Sequence, residues 1–375
     1  MKKKVALLIF NPFTNDSRVL KEAITLSNNN YIVEVIAHHD KNLEKTETYK
    51  NFLVKRVAYL DRSVTKNKFK KLNAYITYIK ETAAYCKNFD ILHCNDLDTL
   101  PIALIIKKLY KKNIKVIYDA HEYETETNGL HGIQKSITKI LENFLIKYVD
   151  KVITVSDAIA EEYVKLYKID KPSLVLNTPK YKEITKKNLF RGILHIQEEE
   201  SIFLYQGSLN YGRGIEILID TFKTMDKSKN ILILMGYGEM EKEIKEASLK
   251  YDSIYFYPAV EPDILLDYTS SADFGIATIE DTCLSYRYCL PNKMFEYIMA
   301  EVPIIVSNLP EMKKIVDSYK VGVIAKNNSK EGLEAAILEA RKLNKKELNT
   351  NIKKTRNIFN WEEQEKVLLT TYRDL

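Results

Sequence analysis

The sequence predicts an α/β protein of two tandem doubly wound domains with a cleft between them, and three observations carry that prediction. At 375 residues the chain exceeds what one hydrophobic core can serve, so two domains are expected. Short apolar runs alternate with segments of helical spacing. The runs are apolar throughout rather than at every second residue, as strands of a parallel sheet covered on both faces must be. The rhythm halts in a polar stretch at 178–201 and restarts at "SIFLYQG" (201–207). Ligands of such sheets bind at the carboxyl ends of the strands, which is where a cleft between two of them would lie.

In the first half the expected strands are 5–10, 32–37, 52–59, 90–94, 114–119, 151–156 and 173–177. Helical patterns such as "SRVLKEAITLS" (17–27) and "ITKILENFLIKYV" (137–149) lie between them. In the second half strands are expected at 201–207, 230–238, 253–259, 272–278, 302–307 and 321–325. The stretch 178–201 reads as a linker, and "NWEEQEKVLLTTYRDL" at the chain end as an amphipathic helix. The domains are accordingly expected at 1–185 and 186–355, followed by a closing helical segment at 356–375.

Hydrophobic residues make up 45% and charged residues 29%, a globular composition. No apolar run approaches the roughly 20 residues of a membrane span. The opening "MKKKVALLIF" is too short in its apolar part for a signal peptide, so a cytoplasmic protein is expected. Four scattered cysteines without a CxxC pair argue for free thiols and against disulfides or structural zinc. Residues 1–185 hold 31 Lys and Arg against 22 Asp and Glu, while the remainder is slightly acidic. That asymmetry fits an anionic partner for the first half and equally an ordinary solvated surface. Nucleic acid is not expected, because the charge is modest and no recognised module appears.

The strand ends carry the chemistry. After the strand at 201–207 comes "GSLNYGRGIEILIDTF", a small-residue turn with Arg213 and Gly214 opening a helix. Free N–H groups, a dipole end and a guanidinium together make a phosphate cradle, though a plain strand-to-helix turn has the same outline. "MGYGEMEKEI" (235–244) adds a second glycine turn with Gly236 and Tyr237. The long loop 278–293 is rich in polar and aromatic groups, as functional loops are. It leads into a helix whose apolar face is Met294, Phe295, Ile298 and Met299, leaving Glu296 on the side of Lys293. In the first half Asn15 and Asp16 cap the first helix, and His93, Asp96, Asp98, His121 and Glu122 stand at two further strand ends. No H-E-x-x-H or G-x-S-x-G spacing supports a metalloenzyme or a hydrolase triad, and no metal is expected.

In this order, the segments 15–27, 89–101, 116–124, 150–163, 205–222, 290–308 and 360–372 resemble family-four glycosyltransferases. These are nucleotide-sugar-dependent retaining enzymes of two Rossmann-like domains, the GT-B fold. The resemblance implies a nucleotide sugar on the C-terminal domain, an acceptor on the N-terminal domain, and a last helix that crosses back to the N-terminal domain. It implies a diphosphate contact at Arg213, added positive charge at Lys293, a ribose-binding acid at Glu296, and a histidine at the sugar end, His121. The implied catalytic groups are His121, Arg213 and Lys293. The donor set is Gly207, Ser208, Arg213, Gly236, Tyr237, Thr282, Cys283, Leu284, Lys293 and Glu296. The acceptor side is Asn15, Asp16, Arg18, Asp96, His121 and Glu122. Neither cofactor nor metal is implied, the donor being a co-substrate.

Two positions depart from the family pattern: Tyr288 stands where the first acid of E-x7-E belongs, and Ser208 where an arginine is usual. Glu280, Asp281 or the backbone of 282–284 are candidate substitutes for the first, and Arg287 for the second. The basic stretch at 62–80 suits docking to an anionic membrane surface, and equally a solvated helix with its apolar side in the core. Membrane docking implies a peripheral protein on the inner face of the plasma membrane. It also implies a lipid-linked glycan acceptor, as in capsule, lipopolysaccharide or other cell-surface polysaccharide biosynthesis. Two further readings share the donor contacts: a nucleotide-sugar epimerase of the same fold, and a catalytically impaired nucleotide-sugar-binding subunit.

Overall fold

The computed structural model describes residues 2–57, 67–110 and 112–375, and among these residues fourteen strands form two sheets. The first sheet contains β1 (Lys4–Leu8), β2 (Ile32–His38), β3 (Thr46–Tyr49), β4 (Phe52–Val57), β5 (Ile91–Asn95), β6 (Lys115–Ala120), β7 (Lys151–Thr154) and β8 (Ser173–Leu174). The second contains β9 (Ser201–Ser208), β10 (Asn230–Tyr237), β11 (Ile254–Pro258), β12 (Phe274–Ala277), β13 (Ile304–Ser307) and β14 (Gly322–Ala325). Their orders are β3-β4-β2-β1-β5-β6-β7-β8 and β11-β10-β9-β12-β13-β14. Both reverse direction beside the first strand of the sheet, the doubly wound arrangement expected from the sequence.

Among the described residues every strand pairing is parallel except β3 with β4. The strands that carry apolar runs are buried along their length: β1, β5 and β9 expose almost nothing in their interiors. β3 is the exception that sequence reading passes over. Its residues "TETY" are polar and mostly exposed, and as an antiparallel edge strand it needs only β4 for its hydrogen bonds.

By contacts the chain divides into two compact units, one of residues 1–176 with 365–375, the other of residues 177–364. The expected boundary at 185 falls inside the second unit. The stretch expected to be a linker is also part of that unit. Helix Leu189–Leu194 buries Phe190, and Arg191 pairs with Asp273 at 2.8 Å. The closing helix, Trp361–Arg373, starts at Asn360, whose side chain accepts from the Glu363 N–H. In the first unit its end is fastened by Thr371 to Ser173 (2.9 Å) and by Tyr372 to His93 (2.8 Å).

Of the basic stretch 62–80, residues 62–66 lie outside the described residues. The rest forms the start of helix Lys68–Cys86, which buries Tyr78, Ile79, Ala83 and Cys86 yet leaves Phe69 and Leu72 outside. Among the described residues, no helix is long and apolar enough to cross a membrane.

Candidate active site

In the second unit one helix sets the geometry. Asn292–Met299 starts just after Pro291 and presses Met294, Phe295, Tyr297, Ile298 and Met299 into the core. Tyr297 fixes its depth. The phenol accepts from the Gln206 N–H (3.0 Å) and donates to the Leu204 carbonyl (2.9 Å), with the Ile276 carbonyl at 3.2 Å. It enters where β9 and β12, paired at Phe203–Phe274 and Leu204–Gly275, begin to part. Gly275 makes the room: a Cβ there would lie 2.3 Å from the Tyr297 ring.

With Tyr297 so placed, Lys293 and Glu296 come to the carboxyl end of β9. Gln206, buried in that strand, donates to Glu296 Oε2 at 2.6 Å while its own carbonyl oxygen accepts from Thr269 Oγ1 at 2.8 Å. Lys293 Nζ stands 3.4 Å from the centroid of the Tyr205 ring. No carboxylate pairs with it among the described residues. Its ammonium is pushed well below the ordinary lysine range, chiefly by burial and then by Arg213, with Glu296 and Cys289 opposing.

Arg213 lies on the turn between β9 and helix Ile215–Phe222, its guanidinium 4.6 Å from the Tyr286 ring centroid. The turn is held from below by Thr278, which donates to the Arg213 carbonyl at 2.9 Å. Gly214 is left-handed at φ 72°, and a Cβ on it would come within 2.9 Å of Thr278, so only glycine fits. The loop 278–283 returns to the same turn through Glu280 N–H to the Gly212 carbonyl (3.1 Å).

The other donor-set residues lie on the same edge. Gly207 and Ser208 end β9, and Gly236 and Tyr237 end β10, with Tyr237 exposed. Thr282 is exposed, and Cys283 caps the short helix Leu284–Arg287 by accepting from the Tyr286 N–H. Arg287, expected as a replacement cation, is instead bound in fork geometry by Asp281, with contacts of 2.8 to 3.1 Å. The same pairing takes Asp281 from the candidate acids. Gln206 and Thr269, which orient Glu296, were not foreseen from sequence. A lone glutamine inside an apolar strand, at a strand end, is the signal that could have found them.

In the first unit, the carboxyl ends of β5 and β6 bring His121, Asn95, Asp96 and Asp119 together. His121 Nε2 lies 3.1 Å from Asn95 Oδ1 and 3.5 Å from Asp119 Oδ2, and Nδ1 lies 3.5 Å from Asp96. Burial would lower the imidazole's pKa, but Asp96 and Asp119 outweigh it and hold it at about 9. Asp96 itself is left-handed at φ 61°, with its N–H donated to the Asp119 carbonyl at 2.9 Å. Non-glycine residues held there are strained, and such strain gathers at functional sites. Glu124, in the turn after β6, is raised well above the carboxylate range by burial and by Asp96.

Arg18 corrects an expectation. It faces inward, with contacts of 2.8 and 3.0 Å to Asp119, 2.6 Å to the Val175 carbonyl and 3.2 Å to Glu22, so it is not presented to an acceptor. Asp16 is a helix cap, accepting from the Val19 N–H and from Asn11, while Asn15 and Glu122 are exposed. His93, read as a strand-end group, is wholly buried between Tyr372 and Asp119. Ligand atoms of Glu22, His93 and Asp119 cluster within 4.8 Å, but the guanidinium of Arg18 already meets both carboxylates there. The cluster reads as a buried ion network.

Comparison with known proteins fits this layout. The profile described as Glycosyl transferases group 1 matches residues 186–357, and that described as Glycosyltransferase Family 4 matches residues 18–177. An uncharacterized glycosyltransferase of Methanocaldococcus jannaschii is 24% identical over 260 residues. That match covers 63% of this chain and 62% of the relative, so under two thirds of the relative's length is matched. Sucrose-phosphate synthase of Thermosynechococcus elongatus superposes with a TM-score of 0.80 at 18% identity, over 99% of this chain and 98% of that one. The Anabaena protein HepE, solved with UDP and glucose, gives 0.75 at 13% identity over the whole of both chains. At such identities the superpositions speak for the fold, and the paired profiles speak for the family. The chain belongs to glycosyltransferase family 4, built on the GT-B fold.

Proposed function

We propose that this chain transfers a hexosyl group, with retention of anomeric configuration, from a nucleoside diphosphate sugar to a glycan acceptor. The donor binds at the carboxyl edge of the second sheet. The observation that supports this most is the grouping there of two basic side chains, Arg213 and Lys293, beside an oriented carboxylate, Glu296. A diphosphate needs preorganised positive charge, and a ribose with two neighbouring hydroxyls suits one carboxylate accepting from both. The HepE structure containing UDP-glucose shows that this fold holds such a donor in another protein.

Departure of the nucleoside diphosphate is the costly event. Arg213, Lys293 and the N–H groups opening helix Ile215–Phe222 face the charge that develops on it. In this proposal the side chains carry the charge, no metal takes part, and activity survives chelator. In the same proposal the acceptor hydroxyl attacks on the face the leaving group vacates, without a carboxylate nucleophile. His121, with the strained Asp96 beside it, serves the acceptor side. The acceptor is a lipid-linked glycan and the setting cell-surface polysaccharide assembly on the cytoplasmic side of the plasma membrane.

The test is incubation with a panel of nucleoside diphosphate sugars, with and without glycan acceptors, followed by product analysis. Release of nucleoside diphosphate with a retained linkage supports the proposal. An inverted linkage removes the stereochemical part. An epimer formed from donor alone identifies an epimerase, and donor binding without turnover identifies an impaired subunit, as Tyr288 in place of an acid would permit.

A further inference from the structure

Helix Gly132–Leu145, in the first unit, is amphipathic but turned the wrong way round for a soluble protein. Its inner side buries Leu145 but is otherwise polar and tightly held. Glu142, fully buried, accepts from the phenols of Tyr118 and Tyr163 at 2.7 Å each and of Tyr167 at 2.5 Å. Lys135 and Lys139 both reach Glu126 at 2.6 Å. These contacts fix the rotation of the helix. They leave Ile133, Ile137, Ile140, Leu141 and Phe144 facing out, with Ile133 80% and Ile140 70% exposed. Spacings of four, three, one and three residues put all five on one narrow stripe.

A contiguous apolar stripe in water marks an interaction surface. Charge says which kind. The outward side of this helix carries no acid, since its one carboxylate is the inward Glu142. At its far end Phe144 packs edge-on against Tyr148, whose ring lies under Lys108 at 4.9 Å, and Lys147 is exposed there without an ion pair among the described residues. Helix Leu100–Lys108, its packed neighbour, ends in Lys108 and in Lys107, the latter paired with Asp150 at 2.8 Å. Apolar side chains rimmed by lysines and an aromatic ring are what a helix lying in a membrane interface presents. Five side chains of one helix also fall well short of the roughly 20–30 residues a side of a specific protein interface.

We infer that helix Gly132–Leu145 docks this protein on an anionic lipid bilayer, its five apolar side chains in the acyl boundary and Lys108 and Lys147 at the headgroups. The surface uses no residue of the basic stretch 62–80. It also makes no use of the donor-site residues, so soluble-nucleotide binding tests the proposed function separately.

The experiment is flotation of the full chain at low ionic strength with vesicles of phosphatidylcholine containing about a quarter phosphatidylglycerol, against pure phosphatidylcholine. The wild type floats with the anionic vesicles only. Ile137→Glu/Ile140→Glu loses at least about tenfold in apparent affinity, and Lys108→Glu/Lys147→Glu, which keeps the apolar stripe, also weakens binding. Melting curves and nucleotide binding of both stay at wild type. Absence of wild-type binding overturns the inference. So does binding that survives Ile137→Glu/Ile140→Glu, or that is lost only in Phe69→Glu/Leu72→Glu. A wild-type dimer that Ile140→Glu turns into a monomer overturns it too, since a second copy then covers the stripe.

Discussion

Gln206 donates a 2.6 Å hydrogen bond to Glu296, and the Thr269 hydroxyl holds the other end of the same amide at 2.8 Å. The carboxylate is thereby aimed from the buried side of the strand end. Glu296→Ala should weaken nucleoside diphosphate binding by about 10- to 100-fold, the value of one or two hydrogen bonds to a charged group. Its stability cost is only about 1 kcal/mol, from the amide it leaves unpaired. Calorimetric titration with nucleotide and a denaturant curve check the two halves. Gln206→Leu should give a smaller binding loss, because the acid is present but no longer oriented.

Tyr297 makes the wider frame. Its hydroxyl serves the Gln206 N–H and the Leu204 carbonyl, both deep in the sheet. Tyr297→Phe leaves a buried N–H and carbonyl with no partner, so a loss of about 2–3 kcal/mol is expected in urea unfolding. Nucleotide affinity should fall as well, since the phenol sets the position of the helix that carries Lys293 and Glu296. A stable variant with wild-type affinity would mean that the strands, not the phenol, hold the helix.

The two arginines of this edge should behave differently. Arg213 stacks on Tyr286 with its guanidinium otherwise uncommitted to a carboxylate among the described residues, whereas Arg287 is locked in a fork by Asp281. Arg213→Ala should cost about tenfold or more in nucleotide affinity, in line with a charge-assisted contact. Arg287→Ala should change it by less than about threefold, the scale of an exposed ion pair. Equal losses in the two variants would put the diphosphate nearer the Asp281 loop.

Thirteen of the fourteen strands among the described residues were legible, because burial on both faces writes a short apolar run bounded by turns, although Ile102–Ile106 in helix Leu100–Lys108 writes one as well. β3 was not, since an exposed antiparallel edge strand needs no apolar residue at all. Lys293, Glu296 and Arg213 were legible by position at strand ends. Gln206 and Thr269 were not, because what they do depends on a meeting across 63 residues that no local pattern records. Arg18 misled in the opposite sense. A basic residue opening a helix at a strand end looks exposed, yet Asp119, 101 residues on, draws it inside.

Lys293 should couple binding to protons. Burial and Arg213 hold its ammonium well below the ordinary range in the free protein, while a bound diphosphate favours the charged form. Nucleotide binding at a pH where the free amine is partly neutral should therefore take up as much as one proton. Calorimetry in buffers of unequal ionisation enthalpy measures this directly. Lys293→Met should abolish the uptake as well as weaken binding, and an unchanged uptake would assign the proton to the nucleotide itself.

His121 sets a second pH dependence, on stability rather than on binding. Its pKa is raised from 6.5 to about 9 in the folded state by Asp96 and Asp119 against the opposing effect of burial. A base whose folded pKa exceeds its unfolded one stabilises fully below the unfolded value and loses that contribution as pH rises through the folded one. Stability should then fall between about pH 6.5 and 9, by at most about 1.4 kcal/mol per pH unit for one proton. His121→Gln keeps a polar group near Asn95 and should flatten that slope while being less stable than wild type near neutrality. His93 works in the other direction: burial lowers its pKa, so it is lost as a stabilising neutral group only as pH falls below its unfolded value. The two histidines are thus separable by the side of neutrality on which each variant alters the melting curve.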